Sequence, residues 1–159
     1  MNFLGIDNGV SGTIACLGDT NFFVQTPVRK DLNYTKEKAY VNRVDFEALF
    51  DVVADSVDYC LIERPMINPQ RFKASVSAIR AMEATLLFLE AKKIRYEFID
   101  SRAWQGALLP KGIKGAPELK EASKIIGVRL FPQYAPLIEK HGDADGLLIA
   151  EYCRRKFKC

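Results

Sequence analysis

Two short apolar runs of this chain each end in a carboxylate. Leu4-Gly5-Ile6 leads into Asp7, and Tyr59-Cys60-Leu61-Ile62 leads into Glu63. A charge at the exit of a buried strand is costly unless the site uses it. A third acidic group stands where a helix should begin. Lys140-His141-Gly142-Asp143-Ala144-Asp145 precedes the apolar run Leu147-Leu148-Ile149-Ala150 and holds the chain's only histidine. Carboxylates brought side by side cannot all stay ionised cheaply, and a divalent cation resolves the conflict. Oxygen ligands suit magnesium, with manganese as a substitute. Three or four such ligands can serve two ions, one activating water and the other stabilising the leaving oxygen of a phosphodiester. Each acid also has an ordinary reading as a cap: Asp143 can be an N-cap, and the helix dipole favours Asp145 in a first turn. If 141–145 is helical throughout, His141 and Asp145 share a face at i,i+4 and Asp143 points elsewhere. No Ser-His-Asp arrangement or complete phosphate-binding loop is visible.

The elements that must position these groups follow from pattern. Residues 1–27 read as a three-stranded antiparallel meander, with turns at Asn8 to Gly12 and Asp19-Thr20 and a stop at Pro27. Residues 28–43 are polar without clear period and read as a loop. Val44, Phe46, Leu49, Phe50 and Val53 recur at helical spacing, which predicts a helix over 44–56. A strand at 59–62 follows, then a loop with two prolines at 64–71. The longest helix is expected over 72–91, with Val76, Ile79, Met82/Glu83, Leu86 and Leu87 as its buried stripe. Ile94 to Ile99 reads as a fifth strand, with Asp100 or Ser101 capping a helix through Trp104. A basic Gly/Pro loop at 110–117 leads to a helix from Glu118 to Ile126 closed by Gly127. Arg129 to Pro136 reads as irregular, and the last helix is expected to start near Asp143. The order β-β-β-α-β-α-β-α-α-α implies an α/β fold: a five-stranded mixed sheet, three antiparallel strands then two parallel crossovers, with helices on both faces. Strands joined by helical crossovers collect ligands beyond their carboxyl ends, which is where Asp7 and Glu63 stand.

Composition narrows the class. The 159 residues are 48% hydrophobic and 27% charged, which fits a single soluble domain over 1–159. No apolar run is long enough for a membrane span and no secretory signal precedes the first strand, so the expected location is cytoplasmic, with no membrane partner. Cys16, Cys60, Cys153 and Cys159 show no metal-ligand spacing and read as reduced, mostly buried thiols. Residues 1–63 hold 5 Lys/Arg against 10 Asp/Glu, while residues 64–159 hold 18 against 10. The strand-end acids lie in the acidic part, and the basic part can face a polyanion.

Leu4-Gly5-Ile6-Asp7-x-Gly9, Ile62-Glu63 and His141-x-x-x-Asp145-Gly146-Leu147-Leu148-Ile149-Ala150, in this order, resemble the RuvC-like Holliday-junction resolvases of the RNase H-like superfamily. The compact phage and prophage forms are the nearest in pattern. The similarity spans nearly the whole chain, including Trp104 and Leu130-Phe131-Pro132. It implies an RNase H-like nuclease domain whose catalytic acids are Asp7, Glu63 and Asp145. Relatives place an acid or a His three or four positions before the last acid, so His141 is preferred as the fourth ligand over Asp143. Asn8 stands where relatives usually have Pro. The resemblance further implies an endodeoxyribonuclease that nicks four-way DNA junctions in pairs, needs magnesium, leaves 5′-phosphate ends and works as a homodimer through the helix at 72–91. Its setting would be a bacterial or phage-infected cell. The loop after Glu63 would reach the junction centre, with Met66, Ile67 and Phe72 as wedges and Arg64, Arg71, Lys73 and Arg80 on phosphates. Lys111, Lys114 and Lys120 would make a second contact and Arg154 to Lys158 a third, while Trp104 is expected to pack. Three alternatives stand beside this. The same fold can cut RNA, flaps or other branched DNA, and a DNA-binding module without catalysis is conceivable. Gly5-Ile6-Asp7-x-Gly9-x-x-Gly12 also resembles the first phosphate loop of actin-like and Hsp70-like proteins. Those need two such domains, so no nucleotide cofactor is expected.

Overall fold

The computed structural model describes residues 1–33, 35–53 and 55–158. A five-stranded sheet runs through its centre in the order β3-β2-β1-β6-β7. Strands β1 (Asn2–Ile6), β2 (Thr13–Gly18) and β3 (Phe22–Gln25) form the expected antiparallel meander. Strands β6 (Tyr59–Glu63) and β7 (Tyr96–Ile99) add on parallel to β1. Alternate residues of a strand face opposite sides, and both sides are buried here. Leu4, Ile6, Ile14, Cys16, Cys60 and Ile62 face one core, closed by α1 (Phe46–Val52) and α2 (Phe72–Ala91). Phe3, Ala15, Leu17, Phe23 and Leu61 face the other core. That core is closed by α3 (Ser101–Leu108), α4 (Ala116–Leu130), α5 (Ala135–His141) and α6 (Asp145–Phe157).

Helix α6 lies directly over β1. A Cβ on Gly5 would stand 2.2 Å from the Ala150 backbone nitrogen, so only glycine lets the helix come this close. Gly127 has a similar role. It lies inside α4 rather than closing it, and a Cβ there would sit 2.2 Å from that of Ala144. The expected helix end at Gly127 is therefore corrected: the glycine makes room for the chain entering α6.

Other expectations change as well. Residues 28–43 are not a loop: β4 (Val28–Leu32) and β5 (Tyr40–Val44) pair as a separate antiparallel hairpin. Val44 thus ends a strand, and α1 is shorter than 44–56. It starts after Asp45, whose Oδ1 accepts the Ala48 N–H at 3.1 Å. Arg129 to Pro136 is not irregular either. Helix α4 runs through Leu130, a 3-10 turn covers Pro132–Tyr134, and α5 begins at Ala135. The face of α2 is also reassigned. Ser75, Ala81, Met82, Thr85, Phe88 and Leu89 are its buried residues, whereas Ile79 and Leu87 are each 51% exposed. The stripe Val76, Ile79, Glu83, Leu87 has helical spacing, but apart from Met82 and the half-buried Leu86 it looks away from the sheet.

Cys16, Cys60 and Cys153 are buried free thiols, and Cys159 lies outside the described residues. Burial pushes the Cys16 thiol up to about 11 and that of Cys153 to about 12, which keeps them unreactive. Among the described residues, no helix is long and apolar enough to cross a membrane.

Candidate metal centre

Strand register brings the first two acids to one edge. Ile6 of β1 is aligned with Ile62 of β6, so Asp7 and Glu63 follow at the same level. Both have the parity of Gly5 and Leu61, on the side of the sheet covered by α6. The Asp7 N–H donates to the Thr13 carbonyl at 3.0 Å, which pins the exit of β1 to the start of β2. Asn8 donates from Nδ2 to the Ala78 carbonyl at 3.2 Å and so ties the turn to α2.

The third segment is positioned by a helix break. Gly142 adopts a left-handed conformation with φ +99°, which ends α5 at His141 and turns the chain before α6. Residues 141–145 therefore do not form one helix, and the expected shared face of His141 and Asp145 is corrected. Asp143 is buried in the connection, and its Oδ1 accepts the Asp145 N–H at 3.3 Å. Thr13 Oγ1 accepts the Gly146 N–H at 3.0 Å, which docks the start of α6 on β2.

Asp7, Asp143 and Asp145 each present a carboxylate oxygen within 4.8 Å of the other two. Glu63 stands beside them, held by the Trp104 indole, whose Nε1–H donates to Oε2 at 2.6 Å. Trp104 therefore packs, as expected, and also fixes an acid. Ser123 does the same for Asp145. Its hydroxyl donates to Oδ1 at 2.5 Å while accepting the Ala144 N–H at 3.1 Å. Neither role was anticipated from sequence. The signal for Ser123 was a hydroxyl at core spacing in α4, between Leu119, Ala122 and Ile126.

His141 touches the cluster from outside, with Nε2 3.6 Å from Asp143 Oδ1. Lys120 reaches Asp143 Oδ2 at 3.5 Å.

The charges are mutually unfavourable. Asp7 is pushed well above the usual carboxylate range, by burial first and then by Asp145, Glu63 and Asp143, with Lys120 opposing. Asp145 rises to about 7 through burial and Asp143, partly offset by the Ser123 hydrogen bond. Glu63 rises through burial, which the Trp104 hydrogen bond offsets in part, and through Asp143 and Asp100. A set of hard oxygen donors that oppose one another's ionisation fits a divalent cation, because a cation between them offsets their mutual repulsion.

The residues expected on DNA are spread more widely. Met66 is 85% and Phe72 73% exposed, and Ile67 is exposed beside them. Arg71 and Lys73 are exposed at the start of α2. Lys73 and Arg80 line a recess of about 650 Å³ between α2 and the β4–β5 hairpin, away from the acids. Arg64 pairs with Asp100 at 3.1 Å and lies over the Phe98 ring. Lys111 and Lys114 are exposed in the connection from α3 to α4. The basic tail is at the far end of α6, roughly 20 Å from the acids. There Arg154 and Arg155 pair with Glu151, and Lys156 pairs with Glu97.

No protein-family model matches the sequence, and no curated protein matches it significantly. Solved structures do match by shape. RuvC from Thermus thermophilus in complex with a Holliday-junction substrate aligns with a TM-score of 0.58 at 13% identity, over 98% of this chain and 96% of that one. A second Thermus thermophilus RuvC structure gives 0.53 at 14% identity, over 99% and 97%. The chain has the RuvC fold, in the RNase H-like class expected from its motifs.

Proposed function

We propose that this protein is a divalent-cation-dependent endonuclease that cuts branched DNA, with four-way junctions as its preferred substrate and 5′-phosphate ends as its products. The observation that carries the reading is the convergence of Asp7 with Asp143 and Asp145 from two segments, with Glu63 beside them from a third, on a fold shared with RuvC. Asp7, Asp143, Asp145 and Glu63 would hold magnesium or manganese in place of the His141 set, and four carboxylates suffice for two ions. Such ions lower the pKa of a bound water and stabilise the leaving oxygen of an in-line displacement. Trp104 and Ser123 hold one oxygen of Glu63 and of Asp145, which leaves the other oxygen of each carboxylate free.

A symmetric junction suits a two-fold protein. The outward stripe of α2 supports dimerisation there, since Ile79 and Leu87 are exposed at helical spacing. Met66 and Ile67, on the loop that follows Glu63, and Phe72, at the start of α2, are exposed and would enter an open junction centre.

The test is cleavage of a synthetic four-way junction beside linear, flap and RNA–DNA hybrid controls, with magnesium, manganese or EDTA. Paired nicks in the junction alone, lost in Asp7→Asn and Glu63→Gln, are expected. Full activity of Asp7→Asn, or equal cutting of linear DNA, overturns the reading.

A further inference from the structure

A second recess adjoins the acids and has the opposite charge. It encloses about 350 Å³ between the edge of β2–β3 and the helices α4 and α5. Its polar lining is Ser11, Thr13, Gln25, Lys120, Lys140 and His141, and no carboxylate belongs to it. The wall is shared with the acid cluster. Thr13 bonds the backbone of Asp7 and of Gly146, while Lys120 and His141 both contact Asp143. Lys140 is exposed, and no ion pair involves it among the described residues. Two ammonium groups, an imidazole, hydroxyls and an amide form a donor set for an anion, with Asp143 facing Lys120 and His141 from the cluster side and Lys140 turned to the recess.

A nuclease that gathers four carboxylates must still attract a polyanion to them. Cations in the adjoining wall offset that repulsion where the strand passes. We propose that this recess is a phosphate-anchoring subsite that holds a non-scissile phosphodiester of the cleaved strand, with Lys140 and His141 as its contacts and Lys120 linking it to the metal cluster. The proposal rests on the nuclease reading for its ligand class, and it gives His141 a task other than metal ligation.

His141 is the only histidine in the chain, so its imidazole proton signals are unique reporters of the recess. The full chain in EDTA is titrated with a six-nucleotide single-stranded DNA, followed by NMR and by fluorescence anisotropy. The His141 signals should shift saturably in step with anisotropy. Lys140→Ala should weaken binding roughly 3- to 10-fold and lower the slope of log affinity against log salt by about one. A methylphosphonate oligonucleotide, which lacks the charges, should leave His141 unmoved. The subsite is overturned if the oligonucleotide fails to bind, if it binds while His141 stays silent, or if Lys140→Ala changes neither affinity nor salt slope. Junction cleavage with a silent His141 removes the subsite and leaves the nuclease reading. A shifting His141 in a protein that cuts no substrate does the reverse.

Discussion

Replacing Asp145 with Asn should stabilise the cation-free protein while abolishing cleavage. Burial and the neighbouring Asp143 raise the Asp145 carboxyl from 3.8 to about 7. Between those values the folded protein retains a proton that the unfolded chain has released. Stability is therefore highest below the unfolded value, falls as pH rises toward 7, and is flat above it. At about 1.4 kcal/mol per pH unit, the cost reaches roughly 4 kcal/mol at pH 8, an upper bound because the clustered acids share their protons. Asparagine has nearly the same volume and still accepts the Ser123 hydroxyl, so it removes the charge and little else. The variant should gain about 2–4 kcal/mol at pH 8 and about 1–2 kcal/mol at pH 5, where the wild-type acid is already protonated. For a chain of this length, the pH 8 gain raises the melting temperature by roughly 5–15 °C. Thermal unfolding in EDTA at both pH values measures it. Added magnesium should then stabilise the wild type and narrow the gap, because the cation binds only the folded acids. A variant no more stable than wild type at pH 8, or equally stabilised at pH 5 and pH 8, refutes the electrostatic account of the cluster.

Four further outcomes follow from particular contacts. Trp104→Phe keeps an aromatic ring in the core but loses the donor to Glu63, so half-maximal cleavage should need on the order of 10-fold more magnesium, with circular dichroism unchanged. Asp143→Ala should cost at least about 100-fold in cleavage, whereas His141→Ala should cost about 10-fold without altering the magnesium requirement; the reverse ranking would make His141 the ligand. Gly127→Ala should destabilise by about 1–3 kcal/mol on thermal melting, since its Cβ collides with Ala144. Were Gly127 an ordinary helix position, alanine would instead stabilise by about 1 kcal/mol. Ile79→Glu should convert a dimer to a monomer in sedimentation without lowering the melting temperature of the monomer; a dimer that survives places the interface elsewhere.

What the sequence revealed, and what it hid, divides along a physical line. Strands β1 and β6 have buried centres on both faces, so they read as apolar runs with clear ends, and those ends are Asp7 and Glu63. The β4–β5 hairpin is mostly exposed, with Asp31 and Val41 half-buried and only Val44 buried, so no clear alternation marked it. Helix α2 carries apolar residues on two faces, and periodicity reports a stripe without reporting which side meets the sheet. The acids at 143 and 145 were visible as residue types, but their geometry depends on one backbone conformation at Gly142. A continuous helix would present His141 with Asp145. The left-handed turn ends α5, buries Asp143 beside Asp7 and Asp145, and leaves His141 in the wall of the basic recess. Which side chains gather beside Asp7 thus depends on a left-handed turn at Gly142 that spacing does not encode. Trp104 and Ser123 belong to the same class of hidden feature, because a side chain chosen for core packing differs from one that also holds an acid only in where its single donor points. The carboxylate at the exit of β1 marked the candidate site from sequence. The orientation of the groups around it required the fold.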